Sequence, residues 1–303
     1  MEVIRTVDLW KTYGRKHAVE NLQMVVQKGD IYGFIGRNGA GKSTTLKMIC
    51  GLAAPTKGEI RLFGKSAEDD TVRSRIGMLV ENAGLYPGFS AYENMMQKAA
   101  CLGLADEKKK VWELLELVEL SGAGNKKVKN FSMGMKQRLG IAMALLGNPD
   151  LLILDEPING LDPEGILQMR HLLQRLNQEH GITMVISSHI LGELSKIATR
   201  YGIIKDGRLV EQISADELAQ RCRDYLYVKV EQPKEAAVLL EQKLGIDQYE
   251  VYPEGELRIY DECDGRAVGR LFAQNGIVAE ELFRHQQDLE SYFLELMGGE
   301  AHV

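Results

Sequence analysis

Two hydrophobic patterns take turns along this chain, one alternating in twos and one repeating at three and four residues, and their succession predicts its elements. The opening segments VIRTVDLW and HAVENLQMVVQ are β-rich and roughly alternating, as antiparallel strands at one edge are. DIYGFIG is a short apolar strand that runs into a glycine-rich turn and then into KSTTLKMICGL, which has helical spacing, so a strand, loop and helix unit is expected. Pro55 and Gly58 end that helix before GEIRLFG, another strand.

From Ser90 to Gly147 the texture is helical. SAYENMMQKAACLG, DEKKKVWELLELVEL and SMGMKQRLGIAMALLG each place apolar residues three and four apart, predicting a helical subdomain (about 90–147) inserted between strands of one sheet. DEKKK reads as a solvated helix start. LLILDEP then reads as a buried strand, Pro163 to about Glu179 as a long helix, and ITMVISSH as a second buried strand. Such alternation implies a mostly parallel sheet covered on both faces.

After IIKDGRLVEQ, a hairpin pinned by Asp206-Gly207, the pattern changes to β, α, β, β, α, β, and a small ferredoxin-like domain fits it best. The expected division is therefore residues 1–215 and 216–303, with one last helix in DLESYFLELMGG. The fold class is α/β with a P-loop core, plus a small α+β C-terminal domain.

Composition narrows the function. The chain has 303 residues, 45% apolar and 26% charged, with 37 basic residues against 43 acidic ones and a net charge of −6. No long basic run is present, so a nucleic-acid partner is not expected. No stretch approaches the roughly twenty apolar residues a bilayer requires, and the N-terminus lacks a signal peptide's apolar core, so a cytoplasmic chain is expected. Cys50, Cys101, Cys222 and Cys263 are far apart and read as buried thiols in a reducing compartment.

GRNGAGKST, Gly36 to Thr44, matches G-x-x-x-x-G-K-[ST] between a strand and a helix. Gly36, Gly39 and Gly41 let the backbone wrap phosphates closely, with Asn38, Ala40 and Thr44 completing the loop. Lys42 brings a point charge to the terminal phosphates and Ser43 a hydroxyl to Mg²⁺. This pattern predicts binding of a nucleoside triphosphate, with ATP and Mg²⁺ as cofactors. LLILDEP ends a buried strand on two carboxylates, which are costly there unless chemistry uses them. Asp155 is placed to hold Mg²⁺, and Glu156 to orient or deprotonate an attacking water. A plain acidic turn before Pro157 is the other reading.

With these residues in view, the chain resembles the ATP-binding subunits of ABC transporters over residues 1 to about 210. The family's Leu-Ser-Gly-Gly-Gln signature appears as Phe131, Ser132, Met133, Gly134, Met135, so Ser132 and Gly134 survive while the first glycine and the glutamine do not. Read without the family, Ser132 is an ordinary helix N-cap. DEPINGLDP resembles the Walker B and D-loop run, with Asp162 in the D-loop. His189 sits where the family has its switch histidine, and Tyr13 is similar to the aromatic that stacks on adenine, although a core histidine and an edge-strand tyrosine are the plain alternatives. The resemblance implies a dimer in which Ser132 and Gly134 of one subunit meet the γ-phosphate of nucleotide held by its partner. It also implies a separate transmembrane permease, with this subunit peripheral on the inner face of the membrane.

The departure with most consequence is Glu81, which stands where most of the family carries the Q-loop glutamine. A full negative charge close to triphosphate and Asp155 is worth on the order of 4 kcal/mol per pair at 4 Å and an effective dielectric of 20. Glu81 is therefore expected to ligate or nearly ligate Mg²⁺; the alternative is an exposed loop glutamate shifted by one position. Glu81, SMGM and the tail LESYFLELMGG resemble the bacitracin-resistance and lantibiotic-immunity subgroup, which implies export of a peptide or similar amphipathic substrate. Tyr86, Phe89 and Tyr92 fall where the family docks a permease helix, or simply pack in the core. A soluble non-transport ABC ATPase and a P-loop phosphotransferase are the alternatives in other classes.

Overall fold

The computed structural model describes residues 1–81, 83–104, 106–285, 292–293 and 296, in two compact units, Met1–Ala215 and Asp216–Val303.

In the first unit a six-stranded sheet runs in the order Arg208–Ser214, Arg200–Lys205, Ile31–Ile35, Thr183–Ser188, Leu151–Asp155, Ile76–Leu79, all parallel except the first pair. Its middle strands are buried throughout except at Asp155, which is why they read as continuous apolar runs rather than alternating ones. Register does the positioning. Ile35 lies opposite Ser188, and Asp155 opposite Ser187, so three strands deliver their carboxyl ends to one edge.

The opening strands do not extend that sheet. Glu2–Tyr13 pairs with Lys16–Leu22, Val25–Gln27 and Lys57–Leu62 in a separate antiparallel sheet. The helix Lys42–Ile49 contributes Leu46, Met48 and Ile49 to a core cluster that also takes Ile4 and Leu62 from this sheet and Phe34 and Val185 from the parallel one.

Helices Ala91–Cys101, Glu107–Leu117 and Met133–Leu145 fall between two strands that are neighbours in the parallel sheet, Ile76–Leu79 and Leu151–Asp155. They bury Met95, Ala99, Val111, Leu115, Leu139 and Ala142. The first of them begins in a capping box: Ser90 Oγ accepts from Glu93 N at 3.1 Å, and Glu93 Oε2 accepts from Ser90 N at 2.6 Å. Those bonds, the Ser90 amide first, hold the Glu93 carboxyl below its ordinary value of 4.5. The box is complete above that pH and weakens as pH falls through the lowered value. Ser90→Ala is expected to destabilise the first unit by about 1 kcal/mol, read as a lower denaturation midpoint at neutral pH.

The second unit is a four-stranded antiparallel sheet in the order Tyr249–Val251, Glu256–Ile259, Tyr225–Val230, Ala279–His285, with helices Pro233–Leu239 and Gly265–Gln274. In chain order that is 2, 3, 1, 4, the ferredoxin-like arrangement. Leu226, Val228 and Val230 point into a core with Val268 and Phe272, while Tyr227 on the other face stacks on Phe283 at 4.7 Å. The expected last helix, 288–299, lies outside the described residues apart from 292–293 and 296.

The cysteine expectation needs correcting. Cys50 is buried, its thiol pushed up to about 12 by desolvation and by the Asp155 carboxylate, but Cys101 is exposed and Cys222 and Cys263 are half-buried. Cys101 sits in the last turn of a surface helix, where the apolar spacing does not reach it. All four are free thiols. Among the described residues no helix is long and apolar enough to cross a membrane.

Candidate nucleotide site

The glycine-rich loop follows Ile35 and closes at Gly41, whose φ of 111° and whose Cβ position, 2.5 Å from Ala18 O, admit only glycine. The helix Lys42–Ile49 starts there without a side-chain cap, leaving its first amides free for an anion. A cavity of about 380 Å³ opens on this loop, lined by Asn38, Gly39, Gly41, Lys42, Ser43 and Thr44, with Tyr13 and Glu156 at its walls. Gly36 and Ala40 hold the loop from behind: a Cβ on Gly36 would lie 2.5 Å from Ile204 O, and Ala40 O accepts from Gly207 N at 2.9 Å.

Lys42 is 5% exposed, and a buried ammonium needs partners. It donates to Gly36 O at 2.7 Å and Arg37 O at 3.4 Å, and its Nζ lies 3.3 Å from Glu156 Oε1. The other oxygen of Glu156 lies 2.7 Å from His189 Nδ1. One carboxylate thus joins the phosphate loop to the segment after Ser188.

The chain around Glu156 is held unusually. Its φ of 51° is left-handed, a conformation that costs a non-glycine residue of order 1 kcal/mol or more and is kept only where neighbours fix it. Ser187 does the fixing: its O and its Oγ accept from Glu156 N at 3.2 and 3.0 Å, while its hydroxyl donates to Asp155 Oδ1 at 2.5 Å. One serine on the neighbouring strand therefore holds the Asp155 carboxylate and the Glu156 backbone, while the Glu156 carboxylate itself is held by Lys42 and His189.

Of the remaining expected residues, Tyr13 lines the cavity and the others lie elsewhere in the same unit. Tyr13 is 52% exposed, with Lys11 Nζ 5.0 Å from its ring centroid. Ser132 caps Met133–Leu145, its Oγ accepting from Met135 N at 3.2 Å, and Gly134 follows in the first turn with Leu161 as its nearest neighbour. Asp162 caps Pro163–Gln178, accepting from Gly165 N at 3.0 Å. Neither Ser132, Gly134 nor Asp162 lines the phosphate-loop cavity. Glu81 faces a different cavity, of about 460 Å³, and its carboxylate is ion-paired with Lys47. Sequence reasoning passed over Lys16 and Asn159, which line the phosphate-loop cavity, and over Lys47. The only signal for Lys47 is its place one helical turn beyond Lys42 and Ser43.

Comparison with known proteins gives the family. The family model for ABC transporters matches residues 19–159. The chain is 45% identical to the bacitracin transport ATP-binding protein BcrA of Bacillus licheniformis over 98% of both chains. It is 41% identical to the lantibiotic transport ATP-binding protein SrtF of Streptococcus pyogenes over 69% of this chain and 89% of that one. Among solved structures it is similar to the dimeric ATP-binding cassette MJ0796 in a post-hydrolysis state bound to ADP and Pi, with a TM-score of 0.64 and 28% identity, covering 70% of this chain and 98% of that one. The chain belongs to the ATP-binding subunits of ABC transporters and is an ATPase.

Proposed function

We propose that this subunit dimerises around two Mg·ATP and drives a separate membrane permease that exports a peptide antibiotic or a similar amphipathic substrate, the subunit lying on the inner face of the membrane through that permease. One observation carries the cargo: 45% identity over 98% of both chains with a bacitracin transport ATP-binding protein.

Each residue has a physical task in this reading. The loop amides from Gly36 to Thr44 cradle the phosphates, and Lys42 exchanges its bond to Glu156 for the terminal phosphate oxygens. Tyr13, half-exposed at the cavity wall, stacks on the base. Glu156, released from Lys42 but still oriented by Ser187 and His189, takes the proton of the attacking water, and His189 bonds the γ-phosphate. Ser132 and Gly134, with Asp162 beside them in the interface, close the partner's site through the amides of the helix they start.

The donor set suits Mg²⁺. Ser43, Asp155 and Glu81 offer hard oxygen ligands, and among the described residues no group of three or more His, Cys, Asp or Glu could hold an ion alone. That pattern is what an ion relying on substrate phosphates requires. When bound, Mg²⁺ supplies charge that neutralises the phosphate oxygens as the bond breaks.

The aromatics after Glu81 divide. Tyr92 stacks on Trp112 at 5.2 Å inside the helical subdomain, a packing role, while Tyr86 and Phe89 are 52% and 43% exposed and lie 5.4 Å apart. Those two form the permease-docking patch. The test is a deletion strain challenged with bacitracin and with lantibiotics. Wild-type chain should restore growth and Glu156→Gln should not; a deletion strain as resistant as its parent to both would remove the export reading.

A further inference from the structure

Glu81 brings a charge that a glutamine at its position would not, and a charge needs a partner. The structure provides one. Glu81 follows the strand Ile76–Leu79 in a left-handed conformation, φ 64°, which turns its side chain off the sheet line. Its carboxylate meets the ammonium of Lys47, 34 residues away in sequence, in the last turn of the helix that starts at Lys42. Lys47 is itself only 30% exposed and also feels the carboxylate of Asp155, so it stands in the field of two of the three residues assigned to the metal.

We propose that Lys47 is a positioning residue for Glu81: its ammonium and the divalent cation of Mg·ATP compete for one carboxylate, so Glu81 is held by the protein without nucleotide and passes to the metal with it. The inference rests on the metal-facing reading of Glu81 given above. A glutamine there would meet both cations only through a neutral amide oxygen, so it would bind each more weakly. The competition sets the magnesium requirement. A partly exposed ion pair contributes a factor of about two to five in an equilibrium, so releasing Glu81 should lower the half-saturating Mg²⁺ concentration by about that factor.

The experiment measures equilibrium binding of a fluorescent ATP analogue to the purified full chain while Mg²⁺ is varied, so turnover plays no part. Five proteins are compared: wild type, Lys47→Met, Lys47→Arg, Glu81→Gln and the Lys47→Met, Glu81→Gln double variant, with melting temperatures as a folding control. Lys47→Met should shift the curve about two- to fivefold to lower Mg²⁺, Glu81→Gln should shift it to higher Mg²⁺, and Lys47→Met should have no further effect in the Glu81→Gln background. Lys47→Arg, which keeps the charge, should restore the wild-type curve. An equal shift in both backgrounds would mean that Lys47 acts on the nucleotide directly, and no shift in either would mean that it does nothing; both overturn the inference while leaving Glu81 at the metal. A Glu81→Gln curve that overlays wild type would remove the metal-facing reading itself, and this inference with it.

Discussion

Glu156→Gln should leave ATP binding intact, slow turnover by about 10²- to 10⁴-fold, and accumulate an ATP-bound dimer. The geometry explains why these effects separate. Glu156 is fixed by its backbone, through two hydrogen bonds from its amide to Ser187, so an isosteric amide keeps its place. What disappears is the negative charge and the ability to accept a proton. That charge now lies 3.3 Å from Lys42 Nζ, and its removal leaves Lys42 freer for phosphate, so affinity is expected to hold or rise. Hydrolysis has no comparable substitute, because Asp155, the neighbouring carboxylate, is bonded by the Ser187 hydroxyl and is the proposed metal ligand. The checks are nucleotide binding, steady-state phosphate release, and sedimentation with and without Mg·ATP. A variant that hydrolyses at the wild-type rate would show that Glu156 is not the base and that its contact with His189 is structural.

The site was legible in the sequence wherever the chemistry is local. GRNGAGKST encodes its own loop, since the glycines are demanded by backbone approach within a few residues, and LLILDEP declares itself because two carboxylates end an apolar run. Ser132 was readable in the same way, as a polar residue opening a helical pattern. Contacts made through the fold were not. The pairing of Glu81 with Lys47 depends on how a bend after one strand meets the far end of a helix, and no periodicity records it. Ser187 was visible only as a serine beside His189; its grip on the Asp155 carboxylate and the Glu156 amide comes from the register that sets it opposite Asp155. Which sheet a strand joins is equally a tertiary fact, and the antiparallel strands, though their pattern was clear, form a sheet of their own. The short strand Ile76–Leu79 was missed because its pattern is broken by an exposed Met78 and bounded by charge.

Gly134→Asp should abolish the ATP-bound dimer and cut ATPase activity more than about 10²-fold, while leaving the fold and the monomer's own nucleotide affinity unchanged. The reason begins with what Gly134 does not do. Unlike Gly41, it has no positive φ, and a Cβ there would meet only Leu161 Cδ2 at 3.7 Å, an ordinary contact. Nothing among the described residues requires glycine there, and glycine is a poorer helix former than alanine. In the proposed dimer it is the partner's nucleotide that approaches this helix start from outside. An aspartate in the first turn suits the isolated subunit, since the N-terminal dipole end stabilises a negative charge by about 0.3–1 kcal/mol. The same position in the dimer would set that charge against the partner's triphosphate, where each pair at about 4 Å costs on the order of 4 kcal/mol at an effective dielectric of 20. Fold and function are therefore driven in opposite directions by one substitution, which is what makes the result decisive. Melting temperature and nucleotide affinity are measured on the Gly134→Asp monomer, and dimer formation in the Glu156→Gln background, where hydrolysis cannot disperse it. A stable dimer that still turns over at the normal rate would mean that the helix begun by Ser132 never meets a second nucleotide. A loss of affinity in the monomer would place Gly134 in its own subunit's site instead.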